Sequence, residues 1–318
     1  MMKRTLGRSG IEVSALGLGC WAIGGPFWKN GLPVGWGQVD DAESIHSIRR
    51  ALDLGVTFFD TAAVYGCGHS EEILGKALAG RREEVIIATK FGQEFDSANR
   101  QVIGYNTDPA RIRWECEESL RRLGTDCIDL YQLHVKEVEA EQAAVVRETL
   151  EDLVSEGKIR FYGWSTDSPD STRIFAEGKH CTAIQQQLNI FEGNGQTLAL
   201  CEQFGLASIN RGPLGMGLLT GKFTAETNIP VDDVRSRRPA LQEERKIRLE
   251  KLEKIRDVLT YGGRTLAQGA LGWLWARSDQ TIPIPGFKTI TQIEENIGAM
   301  RFGPLTDEQM LQIATLLS

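Results

Sequence analysis

Four polar side chains close apolar runs in the first half of this chain, and their types make up a proton-transfer set. Asp60 ends Thr57-Phe58-Phe59-Asp60, and Tyr65 follows shortly after it. Lys90 ends Val85-Ile86-Ile87-Ala88-Thr89-Lys90, and His134 ends Leu130-Tyr131-Gln132-Leu133-His134. A tyrosine is a useful general acid near neutral pH only if its pKa, about 10 when unperturbed, is drawn down. A neighbouring ammonium does this by favouring the phenolate. A carboxylate beside the lysine fixes its position and keeps it protonated, and a histidine can orient or polarise a carbonyl oxygen. Together the four imply carbonyl-reducing chemistry.

Such a set needs elements that bring distant residues to one place. The opening reads as a small hairpin, Arg4-Thr5-Leu6, a turn from Gly7 to Gly10, then Ile11-Glu12-Val13. Eight short buried-strand candidates follow, at 16–21, 57–60, 85–90, 128–134, 159–164, 183–188, 206–210 and 281–285. Helical patterns lie between them. Residues 41–54 repeat Ile45, Ile48 and Leu52 on one face, and 70–78 begins with Ser70 as a cap before Glu71 and Glu72. Asp108-Pro109 opens a helix as cap and first-turn proline. The stretches 139–155 and 168–176 run into Gly157 and Gly178, read as glycine C-caps. The final stretch, 306–318, is an amphipathic helix with Met310, Ile313 and Leu317 on one side.

Strands alternating with helices mean parallel pairing and right-handed crossovers. A doubly wound dinucleotide-binding sheet should carry G-x-G-x-x-G after its first strand. Here Leu16-Gly17-Leu18-Gly19-Cys20-Trp21 lacks the third glycine and continues as a loop through Gly24-Gly25-Pro26. The expected fold is therefore one α/β domain spanning 1–318, a (β/α)8 TIM barrel with an N-terminal β-hairpin and an extra C-terminal helix. In such barrels active-site groups come from the C-terminal ends of strands, where Asp60, Lys90 and His134 stand and which Tyr65 follows closely.

Composition narrows the partners. The 318 residues are 41% hydrophobic and 25% charged, with net charge −7, an ordinary globular composition that argues against a nucleic-acid or acidic-membrane surface. No apolar run reaches the roughly 20 residues that span a bilayer, and Met1 to Gly7 lacks a signal peptide's apolar stretch, so a cytoplasmic location is expected. The six cysteines show no C-x-x-C pair, which fits reduced thiols, and the four histidines lack paired metal-ligand spacing. Two linkers are long. Residues 23–39 carry Trp28 and Trp36 on the expected catalytic face, and 215–244 carries Gly217-Leu218-Leu219-Thr220-Gly221-Lys222 and the basic run Arg235-Ser236-Arg237-Arg238. Cations on such a loop suit phosphates.

The motifs resemble those of the aldo-keto reductases, in particular the bacterial NADPH-dependent members. The resemblance is carried by Phe58-Phe59-Asp60-Thr61-Ala62-Ala63-Val64-Tyr65-Gly66 with His69-Ser70-Glu71-Glu72-Ile73-Leu74-Gly75, by Ala88-Thr89-Lys90, and by Tyr131-Gln132-Leu133-His134. It extends through residues 217–222 and Ile284-Pro285-Gly286 to Gln292, Glu295 and Asn296, covering nearly the whole chain. It implies a barrel binding NADPH in extended form, without a dinucleotide fingerprint.

Carried over by residue, the resemblance implies Tyr65 as proton donor, Lys90 and Asp60 as its tuning pair, and His134 as the carbonyl-orienting group. It implies Ser165 and Gln185 on the nicotinamide carboxamide, with Thr166 where an asparagine or arginine is usual. Arg211 stands where many members stack an aromatic ring. Gly212, Pro213, Leu214, Gly217 and Lys222, with Arg235, match the pyrophosphate loop. Lys288 and Gln292 match the region gripping the 2′-phosphate, with Glu295 and Asn296 on the adenine, and Gly286 of the closing motif is also placed on the cofactor. Trp21 is placed beside the cofactor and the substrate, and Trp28, Cys67 and Trp164 in the substrate pocket. The implied partner is a small carbonyl compound, with NADPH preferred over NADH and no metal. An NAD-dependent sugar or alcohol dehydrogenase and a slow, cofactor-binding regulatory subunit are the alternatives. The sequence leaves the oligomeric state open.

Overall fold

The computed structural model describes residues 1–224, 227–237 and 241–318. Arg238, the end of the basic run, lies outside them. All eight expected strands form, with ends shifted by a few residues. The hairpin is β1 (Lys3–Thr5) and β2 (Glu12–Ser14). The first barrel strand is β3 (Leu18–Gly19), and it is followed by a short hairpin, β4 (Trp28–Lys29) and β5 (Leu32–Pro33). Then come β6 (Phe58–Asp60), β7 (Ile86–Phe91) and a second hairpin, β8 (Gln93–Asp96) and β9 (Gln101–Tyr105). The rest are β10 (Ile128–Leu133), β11 (Ile159–Ser165), β12 (Cys181–Asn189), β13 (Glu192–Gly193), β14 (Ala207–Arg211) and β15 (Thr281–Pro283).

The parallel sheet runs β3-β6-β7-β10-β11-β12-β14-β15. Its two edges meet: Gly17 N donates to Pro283 O and Gly19 N to Pro285 O, both at 3.0 Å, and Gly19 bridges Gly286 in parallel. A side chain at Gly19 would put its Cβ 2.8 Å from the Ile284 carbonyl, so the seam requires glycine. The sheet thus closes on itself as a barrel of the TIM type.

Strand alternation then sorts every residue. Phe58, Ala88, Leu130, Ala183, Ala207 and Ile209 point inward and form an apolar floor, sealed from below by Leu6 and Val13 of the hairpin. One or two pleats further along the same strands, Asp60, Lys90, Gln132, Gln185 and Arg211 inherit the inward direction. The intervening residues, such as Phe59, Ile87, Tyr131, Trp164 and Ile184, point outward into the apolar layer beneath the helices.

Helices α1 (Asp41–Asp53), α2 (His69–Leu78), α3 (Pro109–Leu123), α4 (Ala140–Ser155) and α5 (Pro169–Ala176) fill that layer in order. They are followed by α6 (Gly195–Phe204), α7 (Leu241–Thr260), α8 (Leu266–Arg277) and α9 (Ile290–Gly298). The expected closing helix is α10 (Asp307–Leu317), and Ile313, Met310 and Leu317 pack toward α7 and α8 as its periodicity predicts.

Two cap expectations fail, for instructive reasons. Ser70 does not cap α2, because Gly68 (φ +102°) holds the N-cap position. The Ser70 hydroxyl instead donates to Cys20 O and pairs with Thr61 Oγ1, each at 2.8 Å. Gly178 is not a left-handed cap; its side of the chain faces the Tyr162 hydroxyl, where an added Cβ would sit 1.8 Å away.

The loops of 23–39 and 92–107, read as irregular or left unread, build a second sheet in the order β5-β4-β9-β8. It leans over the barrel mouth and supplies one wall of the site.

Candidate active site

The four residues singled out from sequence converge at the C-terminal mouth of the barrel. Lys90, 1% exposed, donates from Nζ to Asp60 Oδ1 at 2.5 Å, to the Thr61 carbonyl at 2.7 Å and to the Tyr65 hydroxyl at 3.3 Å. Its ammonium also lies 4.9 Å from the Tyr65 ring centre. His134, just past the end of β10, meets the Tyr65 ring edge-on at 5.8 Å, while its backbone N–H donates to Phe91 O. Trp21 stacks on the Tyr65 ring at 5.9 Å and is anchored by Nε1 donating to Val34 O. Tyr65 is further fixed where two loops cross backbone on backbone. A Cβ on Gly66 (φ +61°) would lie 1.9 Å from Gly24 O, and one on Gly24 would lie 2.8 Å from the Tyr65 carbonyl carbon.

The electrostatics correct one expectation. Burial pushes the Tyr65 phenol above its ordinary pKa, and the opposing Lys90 charge only moderates that rise. The hydroxyl therefore keeps its proton through the neutral range, rather than being drawn down toward 7. Burial alone would lower the Lys90 ammonium, but the Asp60 carboxylate and the Tyr65 hydroxyl together outweigh it and hold the pKa above the usual lysine value. His134 is held well below the ordinary imidazole value, first by burial and then by the charges of Lys90 and Arg211. Its Nδ1 is buried without a partner.

Above this array opens a cavity of about 740 Å³, within the range usual for small-molecule sites. Asp60, Tyr65 and His134 line it, with Trp21, Ser165, Gln185 and Arg211. An arm extends past Gly212, Pro213, Leu214, Gly217, Lys222 and Arg235 to Gly286, Lys288, Gln292, Glu295 and Asn296. Lys90 lies beneath the cavity wall.

Besides Lys90, four expected residues do not line the cavity. Trp164 alternates outward from β11, packs on Phe175 and donates from Nε1 to Val135 O at 2.7 Å. Thr166 has the same outward parity, and its hydroxyl donates to Lys136 O at 3.1 Å. Trp28 points away while its neighbours Phe27 and Lys29 face the cavity. Cys67, in a left-handed turn at φ +56°, packs behind the wall against Phe27, Val64 and Val102, where burial pushes its thiol to about 12.

Other residues take their places. Trp36, rather than Trp28, walls the cavity from the long loop. Gln132, fully buried, and Gln185 both donate to the second oxygen of Asp60. Gln132 was legible in principle, since it stands two residues before His134 and shares its inward face. Asp167, which pairs with Arg211, carries no comparable signal. Gln187 accepts from Arg211 Nη1 at 2.9 Å.

The arm fits a nicotinamide dinucleotide by its donor chemistry. At Leu214 (φ −102°, ψ +20°) and Gly215 (φ +56°) a right-handed residue passes into a left-handed one, the turn form that makes anion-cradling concavities. An added Cβ at Gly217 would meet the Phe223 ring at 2.8 Å, and one at Gly212 the Gln187 side chain at 2.6 Å. Three cations flank this loop. Lys222 lies 3.5 Å from Glu295. Arg235 is clamped by Asp233 at 2.7 Å and lies between Trp36 and Phe223, 4.8 and 4.9 Å from their ring centres. Lys288 donates to the carbonyls of Trp36 and Gln38, and burial lowers its pKa. Amide-bearing Gln185 stands at the reactive end, and cations stand along the arm.

The family model described as "Aldo/keto reductase family" matches residues 15–318. Among curated proteins, the aldo-keto reductase YhdN of Bacillus subtilis is 36% identical over 97% of this chain and 91% of its own length. The Schizosaccharomyces pombe protein named aldo-keto reductase yakc [NADP(+)] is 33% identical over 91% of this chain and 84% of its own length. Among solved structures, the glycerol dehydrogenase of Gluconobacter oxydans superposes with a TM-score of 0.86 at 34% identity, covering 99% of this chain and 94% of that one.

The low-lying His134 has a direct test. In protein labelled at its histidine nitrogens, the His134 ring signals should stay those of neutral imidazole from pH 8 to pH 6. An ordinary histidine is about three-quarters protonated by the lower limit. A titration of His134 centred near 6.5 would contradict the arrangement.

Proposed function

The chain belongs to the aldo/keto reductase family, and from that premise we propose that it reduces aldehydes or ketones to alcohols with NADPH, Tyr65 acting as general acid. One observation carries the proposal: the Lys90 ammonium is shared between Asp60 and the Tyr65 hydroxyl at the floor of the cavity. We read the whole chain as one barrel domain acting in the cytoplasm. No helix among the described residues is long and apolar enough to cross a membrane.

When bound, the reduced cofactor supplies a hydride to the carbonyl carbon. Ser165 and Gln185 would hold its carboxamide. Gly212, Pro213, Leu214, Gly217, Lys222 and Arg235 would hold the pyrophosphate, and Lys288 with Gln292 the 2′-phosphate. Gly286 borders the arm there, while Glu295 and Asn296 take the adenine. Tyr65 and His134 aim hydrogen bonds at the carbonyl oxygen, where negative charge grows. A neutral imidazole suits this, because it offers a donor without surrendering a proton. Tyr65 then delivers its proton, and Lys90 stabilises the phenolate left behind. The raised phenol pKa keeps the acid form loaded, so reduction should persist on the alkaline side until pH nears the tyrosine range.

Two features support NADPH. Lys288 has an ammonium with about three donors, of which two go to backbone carbonyls, leaving one for a phosphate. The yakc relative also carries NADP(+) in its name. The glycerol dehydrogenase neighbour favours a second reading, alcohol oxidation on the same residues; an NAD-linked dehydrogenase is the form of that reading that cofactor preference would separate.

Tyr65→Phe should lower turnover about 10²–10⁴-fold, the usual value of a general acid, with NADPH affinity unchanged. Steady-state reduction of an aldehyde panel, paired with fluorescence titration of NADPH, checks both halves; near-normal turnover would remove Tyr65 from the chemistry. Lys288→Met should weaken NADPH binding about tenfold or more, the scale of a charge-assisted hydrogen bond, and leave NADH binding as it was. Equal affinities of the unaltered chain for NADPH and NADH would instead move the assignment to the NAD-linked dehydrogenase.

A further inference from the structure

Asp60 has two carboxylate oxygens, and Lys90 takes only one. Oδ2 receives Gln185 Nε2 at 2.7 Å and Gln132 Nε2 at 3.1 Å. Gln132 is fully buried inside the barrel, one inward step below His134, and does not line the cavity. A carboxylate only accepts hydrogen bonds, so both amides must turn their NH₂ groups toward it. The second N–H of Gln185 is directed at Gln132 Oε1, 3.3 Å away. With both donors engaged, the polar atom Gln185 has left for the cavity is its carbonyl oxygen.

We propose that Gln132 is a positioning residue for the carbonyl reduction: it holds the Asp60 carboxylate toward Lys90 and sets the Gln185 amide with its oxygen facing the nicotinamide carboxamide. The inference rests on the reading above. Gln132 touches neither substrate nor cofactor and acts through two residues that do so or that hold the acid. Without its oxygen, Gln185 loses the partner that holds its second N–H. Without its NH₂, Asp60 loses one of three donors and can rotate away from Lys90. An NH₂ of Gln185 turned to the cavity would confront the NH₂ of a carboxamide rather than accept from it.

Two variants of the full chain test this. Gln132→Met removes donor and acceptor at similar volume. Gln132→Glu keeps the shape but sets a second carboxylate beside Asp60, and two such groups share a proton and titrate as a pair. The measurements are kcat and KM against pH with NADPH and 4-nitrobenzaldehyde, and the Kd of NADPH and of 2′,5′-ADP, which lacks nicotinamide.

For Gln132→Met, kcat should fall about tenfold and NADPH affinity about fivefold, the size of one lost hydrogen bond, while 2′,5′-ADP binds as before. For Gln132→Glu, the kcat profile should gain an ionisation absent from the unaltered chain, with activity falling as pH rises through it. Folded variants with unchanged kcat, profile and NADPH affinity would overturn the proposal. So would equal weakening of NADPH and 2′,5′-ADP, which marks a general structural role. If the Met variant does not fold, the profile of the Glu variant decides. An unaltered chain that binds NADPH without turning over the aldehyde would contradict the reduction reading, and the binding comparison would still judge Gln132. Failure to bind NADPH at all would sink both.

Discussion

A lysine ammonium shut inside a barrel is the constraint from which the rest of this site follows. Taking such a charge out of water costs several kcal/mol even after relaxation, unless close partners compensate it. Here Asp60 Oδ1 and the Thr61 carbonyl do so at 2.5 and 2.7 Å, and the Tyr65 hydroxyl completes the shell. Each partner then has requirements of its own. Asp60 needs donors for its other oxygen, which the buried amides of Gln132 and Gln185 provide. The loop carrying Thr61 is pinned through its hydroxyl to Ser70, and Ser70 to Cys20 O, so a residue expected to cap a helix serves the strand end instead. The demand of one buried charge thus reaches β3, β6, β10, β12 and α2.

Position is supplied by the closed sheet. Inward residues are apolar at the floor and polar at the mouth, which separates what holds the barrel together from the polar groups that face the cavity. The converging polar set and the cations are also divided along the cavity. The end at Tyr65 and His134 is walled by Trp21 and Trp36, and the arm carries Lys222, Arg235 and Lys288. The two long loops meet over this arm, where Val234 N donates to Gly35 O at 2.7 Å and Trp36 bridges Asp233. Arg235 and Lys288 both contact Trp36 there, so the cations that suit phosphates also join the loops.

The eight strands, the hairpin and the convergence of Asp60, Tyr65, Lys90 and His134 were legible because short apolar runs ending in a polar residue are what a buried parallel strand must look like. Trp164 and Thr166 were misplaced because a motif match ignores strand parity, whereas alternation on either side of Ser165, the cavity-facing residue of the same strand, turns both outward. Alternation back from His134 would likewise have found Gln132. Trp28 and Trp36 could not be told apart, since the register of a small hairpin depends on which strand it pairs with. That partner, β9, reads Gln101-Val102-Ile103-Gly104-Tyr105, with two adjacent aliphatic residues and a glycine in place of a clean alternation. The direction of the Tyr65 shift was misjudged for a different reason. Charge near a phenol is visible in sequence, while the burial that outweighs it is a property of the assembled site.

If Lys90, compensated by Asp60, stabilises the phenolate that Tyr65 becomes when it gives up its proton, removing the ammonium must slow the chemical step itself. The most direct test is a single turnover of the NADPH-loaded chain mixed rapidly with excess 4-nitrobenzaldehyde, comparing the unaltered protein with Lys90→Met. The unaltered protein should oxidise one equivalent of NADPH, and the variant should be slowed at least about 10²-fold with cofactor still bound. Equal rates in the two proteins, both saturated with NADPH, would contradict that role of Lys90.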